Sequence, residues 1–323
     1  MSLIKKAIRE NVKVKVLLMS PSGGGKTYSA LRLAKGMGGK TLMIDTEARR
    51  GLYYANEFDY DYVELKEVKR NDPDYDAYKK LLPRIDEPYA PENYIALIKY
   101  AVDNNYDNLI IDSTTHEWSS KGGILDAKNK MPGTNDYTKW AKLTPRHDDF
   151  IYEVLHSPIN VIATVRGKDA YVMEENEKGK QAPKKVGLGA VQRDGMEYEY
   201  TVTFLLDQET HVATVMKDNT HLFEGRYNVL TEQDGEDLIK WANSGEITSK
   251  NIINYTTEEE TEIDNKDDLQ SIISQIDTIA KSKAKTNRKG VADAITKHHD
   301  NANYNSITNV EVAKNVLSEL ESL

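Results

Sequence analysis

A run of glycines followed by a lysine and a hydroxyl residue can hold a chain of phosphates. Residues Ser20-Pro21-Ser22-Gly23-Gly24-Gly25-Lys26-Thr27 have that order. Glycines let the backbone curl until successive N–H groups point at one anion. A helix that starts at this point adds the positive end of its dipole. A lysine at position 26 reaches β- and γ-phosphates, and a hydroxyl at 27 ligates Mg²⁺. Ser22, Gly23, Gly24, Gly25, Lys26, Thr27 and the adjoining Tyr28 are the expected nucleotide-binding set, with ATP and Mg²⁺ as ligands. The pattern usually opens with glycine. Ser20 stands there instead, which requires its φ to be negative.

Hydrolysis needs more than the loop. An acid must hold Mg²⁺, a carboxylate must orient the attacking water, and cations must offset charge at the γ-phosphate. Asp112 follows Leu109-Ile110-Ile111 and fits the first role. Ser113 occupies the place next to it, where many such enzymes carry the second acid. The water-orienting carboxylate is therefore Glu47 or Glu117. Glu47 lies just past Leu42-Met43-Ile44-Asp45, a strand pattern, and strand ends are where ligands gather; on that ground Glu47 is preferred. Lys26 completes the catalytic pair. Thr164, with Arg166 and Lys168 beyond it, is placed to sense the γ-phosphate or to reach a neighbouring subunit's nucleotide. Residues 178–193 carry five basic residues, including Lys180, Lys184, Lys185 and Arg193, and no acid. Glycine, proline and glutamine there predict a mobile loop. Such a loop suits a nucleic-acid backbone, a cation acting across a subunit interface, or plain solvated charge.

These residues need elements to position them. Val12–Met19, residues 41–45, residues 108–112 and Ile159–Thr164 read as buried strands. Thr27–Met37, Glu92–Asn104 and most of 115–157 read as helices, the last broken near Pro132-Gly133 and Pro145. Alternation of this kind predicts an α/β fold with a mostly parallel sheet. Residues 1–11 read as a short lead-in helix, and 48–90 as an irregular excursion. Glu197–Leu206 and Thr210–Met216 read as an antiparallel pair, followed by a short helix over Glu236–Ala242. The expected domains are 1–250, an acidic linker over 251–268, and a small helical module over 269–323.

The 323 residues include no cysteine, which excludes disulfides and thiol nucleophiles, and the net charge of −9 argues against wholesale nucleic-acid binding. No run approaches the length of a membrane span, so a cytoplasmic location without membrane association is expected. His298 and His299 lack metal-ligand spacing.

The loop, Met43-Ile44-Asp45-Thr46-Glu47 and Leu109-Ile110-Ile111-Asp112-Ser113 resemble the core of RecA-like recombinase ATPases. In that family a glutamate after the second strand activates water, which implies Glu47. Val161 to Lys168, Lys185-Val186-Gly187-Leu188 and Glu197-Tyr198-Glu199-Tyr200 resemble, more narrowly, phage-encoded RecA-like, AAA-type ATP-binding proteins of recombination and single-strand annealing. The resemblance covers about residues 10–245. It implies a RecA-like P-loop core and a DNA-dependent ATPase acting on single-stranded DNA. It also implies a homo-oligomer with ATP at the subunit interface, a single-strand-binding protein nearby, and the bacterial host cytoplasm. Two departures stand out: Ser20, and the lack of the glutamine that RecA uses as a sensor after the strand ending at Thr164. An ATP-dependent switch or loader, recruiting a helicase or single-strand-binding protein through the tail, and a small-molecule kinase are the other readings.

Overall fold

Every residue of the first strand, β1 (Lys15–Ser20), is buried, and its side chains alternate between two cores. Leu17 and Met19 join one core, Val16 and Leu18 the other. A strand covered on both faces belongs in the middle of a parallel sheet. In the computed structural model, nine strands form that sheet among the described residues, in the order β3-β2-β4-β5-β1-β7-β8-β9, with β6 paired to β5 alone. The structure describes residues 4, 6–175, 181–245, 272–299, 302–307 and 310–322, excluding the side chains of 169–187, 310 and 311.

The strands are β2 (Thr41–Asp45), β3 (Asp61–Glu64), β4 (Asn108–Asp112), β5 (Asn160–Glu175), β6 (Gln181–Ala190), β7 (Val202–Leu206), β8 (Ala213–Asp218) and β9 (Tyr227–Asn228). Pairing is parallel from β3 through to β7 and antiparallel at β8, β9 and β6. The fold is therefore the expected α/β architecture with a mostly parallel sheet. Helices α1 (Lys26–Met37) and α7 (Glu232–Ala242) cover one face. Helices α3 (Pro91–Asp103) and α6 (Asp136–His156) cover the other. Short helices α2 (Tyr75–Leu81), α4 (Thr115–Ser119) and α5 (Ile124–Lys130) fill the connections. The chain divides into two compact units, Met1–Ile253 and Asn254–Leu323. The second contains α8 (272–283), α9 (Arg288–Thr296) and α10 (Val310–Ser322) around a core of its own. The proposed linker, 251–268, lies outside the described residues.

Several local expectations are corrected. Residues 6–11 are not helical. Arg9 instead lies 4.3 Å over the Trp241 ring and donates to the Trp241 carbonyl, so the segment packs against the end of α7. The excursion 48–90 contains β3, a four-residue edge strand that adds to β2. Helix α6 continues through Pro145, because Leu143, His147, Phe150 and Val154 keep one buried face on both sides of it. The mobile loop expected over 178–193 is mostly strand. β5 leaves the sheet at Gly167 and pairs with β6 as far as Glu175, making a two-stranded ribbon. Among the described residues β6 pairs with β5 alone, and such an edge strand tolerates Pro183.

Helix α1 sits close against α7. A Cβ on Gly36 would lie 1.8 Å from the Glu232 carbonyl oxygen, and one on Gly235 would lie 2.2 Å from that of Leu33. Because α1 carries the glycine loop, this contact fixes the loop's seat. Gly36→Ala is expected to cost about 1–3 kcal/mol of stability, measured as a lowered denaturation midpoint. An unchanged midpoint would show that the two helices part freely.

Candidate functional site

The glycine loop joins β1 to α1, as its flanking patterns require. Gly23 and Gly25 have φ of 87° and 79°, values that L residues rarely adopt. Ser20 belongs to β1 and is absent from the positive-φ residues, so the serine fits where glycine is usual. Its side chain has a consequence one turn on: a Cβ on Gly24 would fall 1.6 Å from Ser20 Oγ. Lys26 folds across the loop, with Nζ donating to the carbonyls of Ser20 (3.1 Å) and Pro21 (2.9 Å). Burial lowers the Lys26 pKa, and the charges of Asp112 and Glu47 oppose that shift.

Asp112 ends β4, and β5 lies between β4 and β1. Its carboxylate is buried between two hydroxyls: Thr27 Oγ1 donates to Oδ2 at 2.5 Å, and Thr164 Oγ1 to Oδ1 at 2.5 Å. Burial raises the Asp112 pKa against the lowering effect of these two hydrogen bonds. A buried carboxylate abutting the loop threonine supplies hard oxygen donors of the type that Mg²⁺ takes. The Asp112–Ser113 peptide is cis.

Glu47 stands just past the tip of β2, next to β4. Its backbone is set by Asp45, which accepts from Glu47 N–H (2.5 Å), Gly51 N–H (2.9 Å) and Tyr62 O–H (3.1 Å). Thr46 ties the two strand tips together: its N–H donates to the Asp112 carbonyl, and its Oγ1 accepts from Ser113 N–H at 2.8 Å. Arg166 of β5 grips the Glu47 carboxylate with two bonds, Nε to Oε1 at 3.0 Å and Nη2 to Oε2 at 2.5 Å. Burial pushes the Glu47 pKa up, but Arg166, helped by His116 and Ser113, outweighs it and holds the carboxyl below its usual range.

Of the expected residues, Ser22, Gly23, Gly25, Lys26, Thr27, Tyr28, Glu47, Asp112 and Arg166 line one cavity of about 490 Å³, while Gly24 and Thr164 lie outside its lining. Ser29, Arg50, Tyr53, Tyr54, His211 and Val229 complete the lining, and the sequence reading missed those six. The turn 207–211 reaches the loop because Asp207 accepts from Thr210 N–H and O–H, both at 2.8 Å, which folds the β7–β8 connection tightly. Gln208 Nε2 then donates to the Ser22 carbonyl at 2.9 Å. The Asp-x-x-Thr spacing between two strand patterns was the available signal.

The other expected residues are placed apart. Glu117 is fully buried on α4, outside the cavity lining; it contacts His147 Nδ1 at 3.1 Å and accepts from Gln192 Nε2 at 3.1 Å. Lys168 is exposed on the ribbon and outside the cavity lining. Arg193 pairs with Asp148 at 2.5 Å. Lys184 and Lys185 lie on β6, with backbones opposite Val172 and Tyr171. Lys180 is outside the described residues.

A model of the AAA_24 family, described as an AAA domain, matches residues 12–252. The chain belongs to the AAA_24 family. This AAA domain places its glycine loop on a central strand, one acid on a strand two places away and a second acid past the next. Among solved structures it is similar to the RadB recombinase (13% identity, TM-score 0.34, 70% of this chain and 90% of that one). It is similar also to the ATP synthase subunit NeqB from Nanoarcheaum equitans (12%, TM-score 0.33, 98% and 78%). A third is an ATPase of the type III secretion system of pathogenic bacteria (11%, TM-score 0.32, 98% and 87%). No curated protein matches the sequence. Among the described residues of this AAA domain and its tail, no helix is long and apolar enough to cross a membrane.

The AAA domain's Arg166–Glu47 pair can be tested directly. Arg166→Leu leaves burial as the main influence on Glu47. Its carboxyl is then expected to titrate higher than in the wild type, read by carboxyl-carbon NMR. An unchanged or lower value contradicts the pairing.

Proposed function

We propose that this AAA domain binds and hydrolyses Mg·ATP and acts on single-stranded DNA as a homo-oligomer, in recombination or replication of the phage type. One observation carries the reading: Lys26 and Thr27 of the loop, Asp112 of β4 and Glu47 past β2 converge on a single cavity. Lys26 turns its ammonium to the β- and γ-phosphates, and the loop N–H groups of Ser22 to Tyr28 cradle them. Thr27 and Asp112 hold Mg²⁺, which when bound offsets charge on the phosphate oxygens. Thr164 fixes Asp112 by occupying its other oxygen. Glu47 orients the attacking water once Arg166 shares or releases its carboxylate.

Arg166 pairs with its own chain's Glu47, which supports a sensor role within the subunit over one at a neighbour's nucleotide. Lys168, exposed farther along β5, is the cation offered to a neighbour. The β5–β6 ribbon, with Lys184 and Lys185 in β6 and Arg193 just beyond it, is the DNA-contacting element, and Lys180 belongs to the same basic stretch of sequence. β5 is one continuous strand from Thr164 to the ribbon, which gives a mechanical route between DNA and ATP. The compact second unit favours one further reading: a loader that recruits a helicase or single-strand-binding protein through that unit.

The deciding experiment is the rate of ATP hydrolysis with and without single-stranded DNA, on the wild type and on Glu47→Gln. We expect DNA to stimulate the wild type, and Glu47→Gln to bind ATP but turn over about a hundredfold slower or worse. Stimulation by a partner protein alone favours the loader. Normal turnover in Glu47→Gln removes Glu47 from its role.

A further inference from the structure

The second unit carries its charge unevenly. Residues 281–289 contain Lys281, Lys283, Lys285, Arg288 and Lys289 and no acid, in a protein with 52 acidic against 43 basic residues. The stretch spans the end of α8, a turn, and the start of α9. The turn is built: Asn287 N–H donates to the Lys283 carbonyl at 2.8 Å, and Asn287 Oδ1 accepts from Gly290 N–H at 3.0 Å. Four of the five cations are exposed, and Lys283 is half-buried.

Two of the five are engaged within the unit. Lys281 pairs with Asp277 at 2.8 Å, and Lys283 donates to the Glu321 carbonyl at 3.0 Å. Lys285, Arg288 and Lys289 have no ion pair among the described residues. Most of the unit's acids lie elsewhere in its sequence: seven fall between 258 and 268, and on α10 Glu319 pairs with Lys297 at 2.7 Å. Clustered like charges raise the energy of the folded unit, whereas interspersed signs would not. The pattern is that of a surface made for an anion.

We propose that the α8–α9 turn binds the phosphate backbone of nucleic acid. The residues between the cations decide the class of partner. Ser282, Thr286 and Asn287 are polar, and Ala284 is the one apolar residue among them. A membrane-binding surface needs apolar side chains to insert, and a protein interface needs an apolar or aromatic anchor. The turn has neither. Hydroxyl and amide groups between cations suit phosphate and sugar oxygens. It also has no aromatic side chain on which a base could stack. The contact is therefore blind to sequence and accepts both forms, with duplex held at least as tightly as a single strand because its charge is denser. This goes beyond the ATPase reading and does not depend on the ribbon touching DNA.

The test uses the full chain and fluorescence anisotropy, with a labelled oligothymidylate and a labelled duplex of about 30 nucleotides or base pairs, between about 50 and 200 mM KCl. Lys285→Ala/Arg288→Ala/Lys289→Ala is compared with the wild type and with Lys79→Ala/Lys80→Ala/Lys142→Ala, which removes equal charge from the first unit. We expect the turn variant to lose about tenfold in affinity for both probes at low salt, and its log–log salt slope to flatten by about 2 for the single strand and about 3 for the duplex. Lys285→Arg/Lys289→Arg should bind as the wild type does, and the control variant should change both affinities by no more than about twofold. Affinity and slope equal to the wild type, or a loss matched by the control variant, overturn the proposal. So does an effect confined to phosphatidylserine vesicles. Lys184→Ala/Lys185→Ala separates the two readings: a loss there with an unchanged turn variant leaves the ribbon and rejects the turn, and the reverse rejects the ribbon.

Discussion

A carboxylate withdrawn from water must find donors, and Asp112 finds them on two other elements. It is 1% exposed, and its oxygens take the hydroxyls of Thr27, at the start of α1, and Thr164, in β5. One buried side chain therefore fastens the phosphate loop, β4 and β5 at a single point. Charge-assisted hydrogen bonds are the strong ones, and leaving a buried acid without them is costly. The relative placement of loop and strands follows from this requirement. The same oxygens that hold the elements together face the place where a metal-bound triphosphate would lie, so structural and chemical demands coincide.

The second acid is held differently. Glu47 owes its position to a turn built on Asp45 and Thr46, and its charge is met by Arg166. Arg166 is part of β5, which runs without interruption into the ribbon. The ribbon root is anchored beside it, because Arg166 N–H donates to Thr115 Oγ1 at 2.8 Å and Gln192 Nε2 donates to the Thr114 carbonyl at 3.0 Å. Displacement of the ribbon would be felt at an ion pair inside the cavity. A coupling claim needs such a physical element with two arrangements, and the Arg166–Glu47 pair is the natural candidate.

What was legible in the sequence was local. The loop, the strands carrying Asp45 and Asp112, and the α1 face follow from periodicity and from short motifs whose chemistry is fixed by residue type. Glu47 was readable because a strand end points at the ligand edge of the sheet. What escaped depended on distant partners. β3 is too short to show a pattern and exists because β2 offers it an edge. β6 contains proline and glycines, and is a strand because β5 supplies hydrogen bonds along its length. The lead-in segment gave up its helical pattern to Arg9 stacking on Trp241, more than two hundred residues away. The aromatic wall at Tyr53 and Tyr54 and the turn at His211 belong to the cavity only after folding brings them to it.

The central claim is that the glycine loop and Asp112 together hold a metal-bound triphosphate. Calorimetric titration of ATP, in Mg²⁺ and in EDTA, into the wild type and Asp112→Asn tests it most directly. The account predicts that Mg²⁺ tightens ATP binding by the wild type about tenfold or more, and that this gain is lost in Asp112→Asn. Affinity that is indifferent to Mg²⁺, or a gain fully kept by Asp112→Asn, would contradict it.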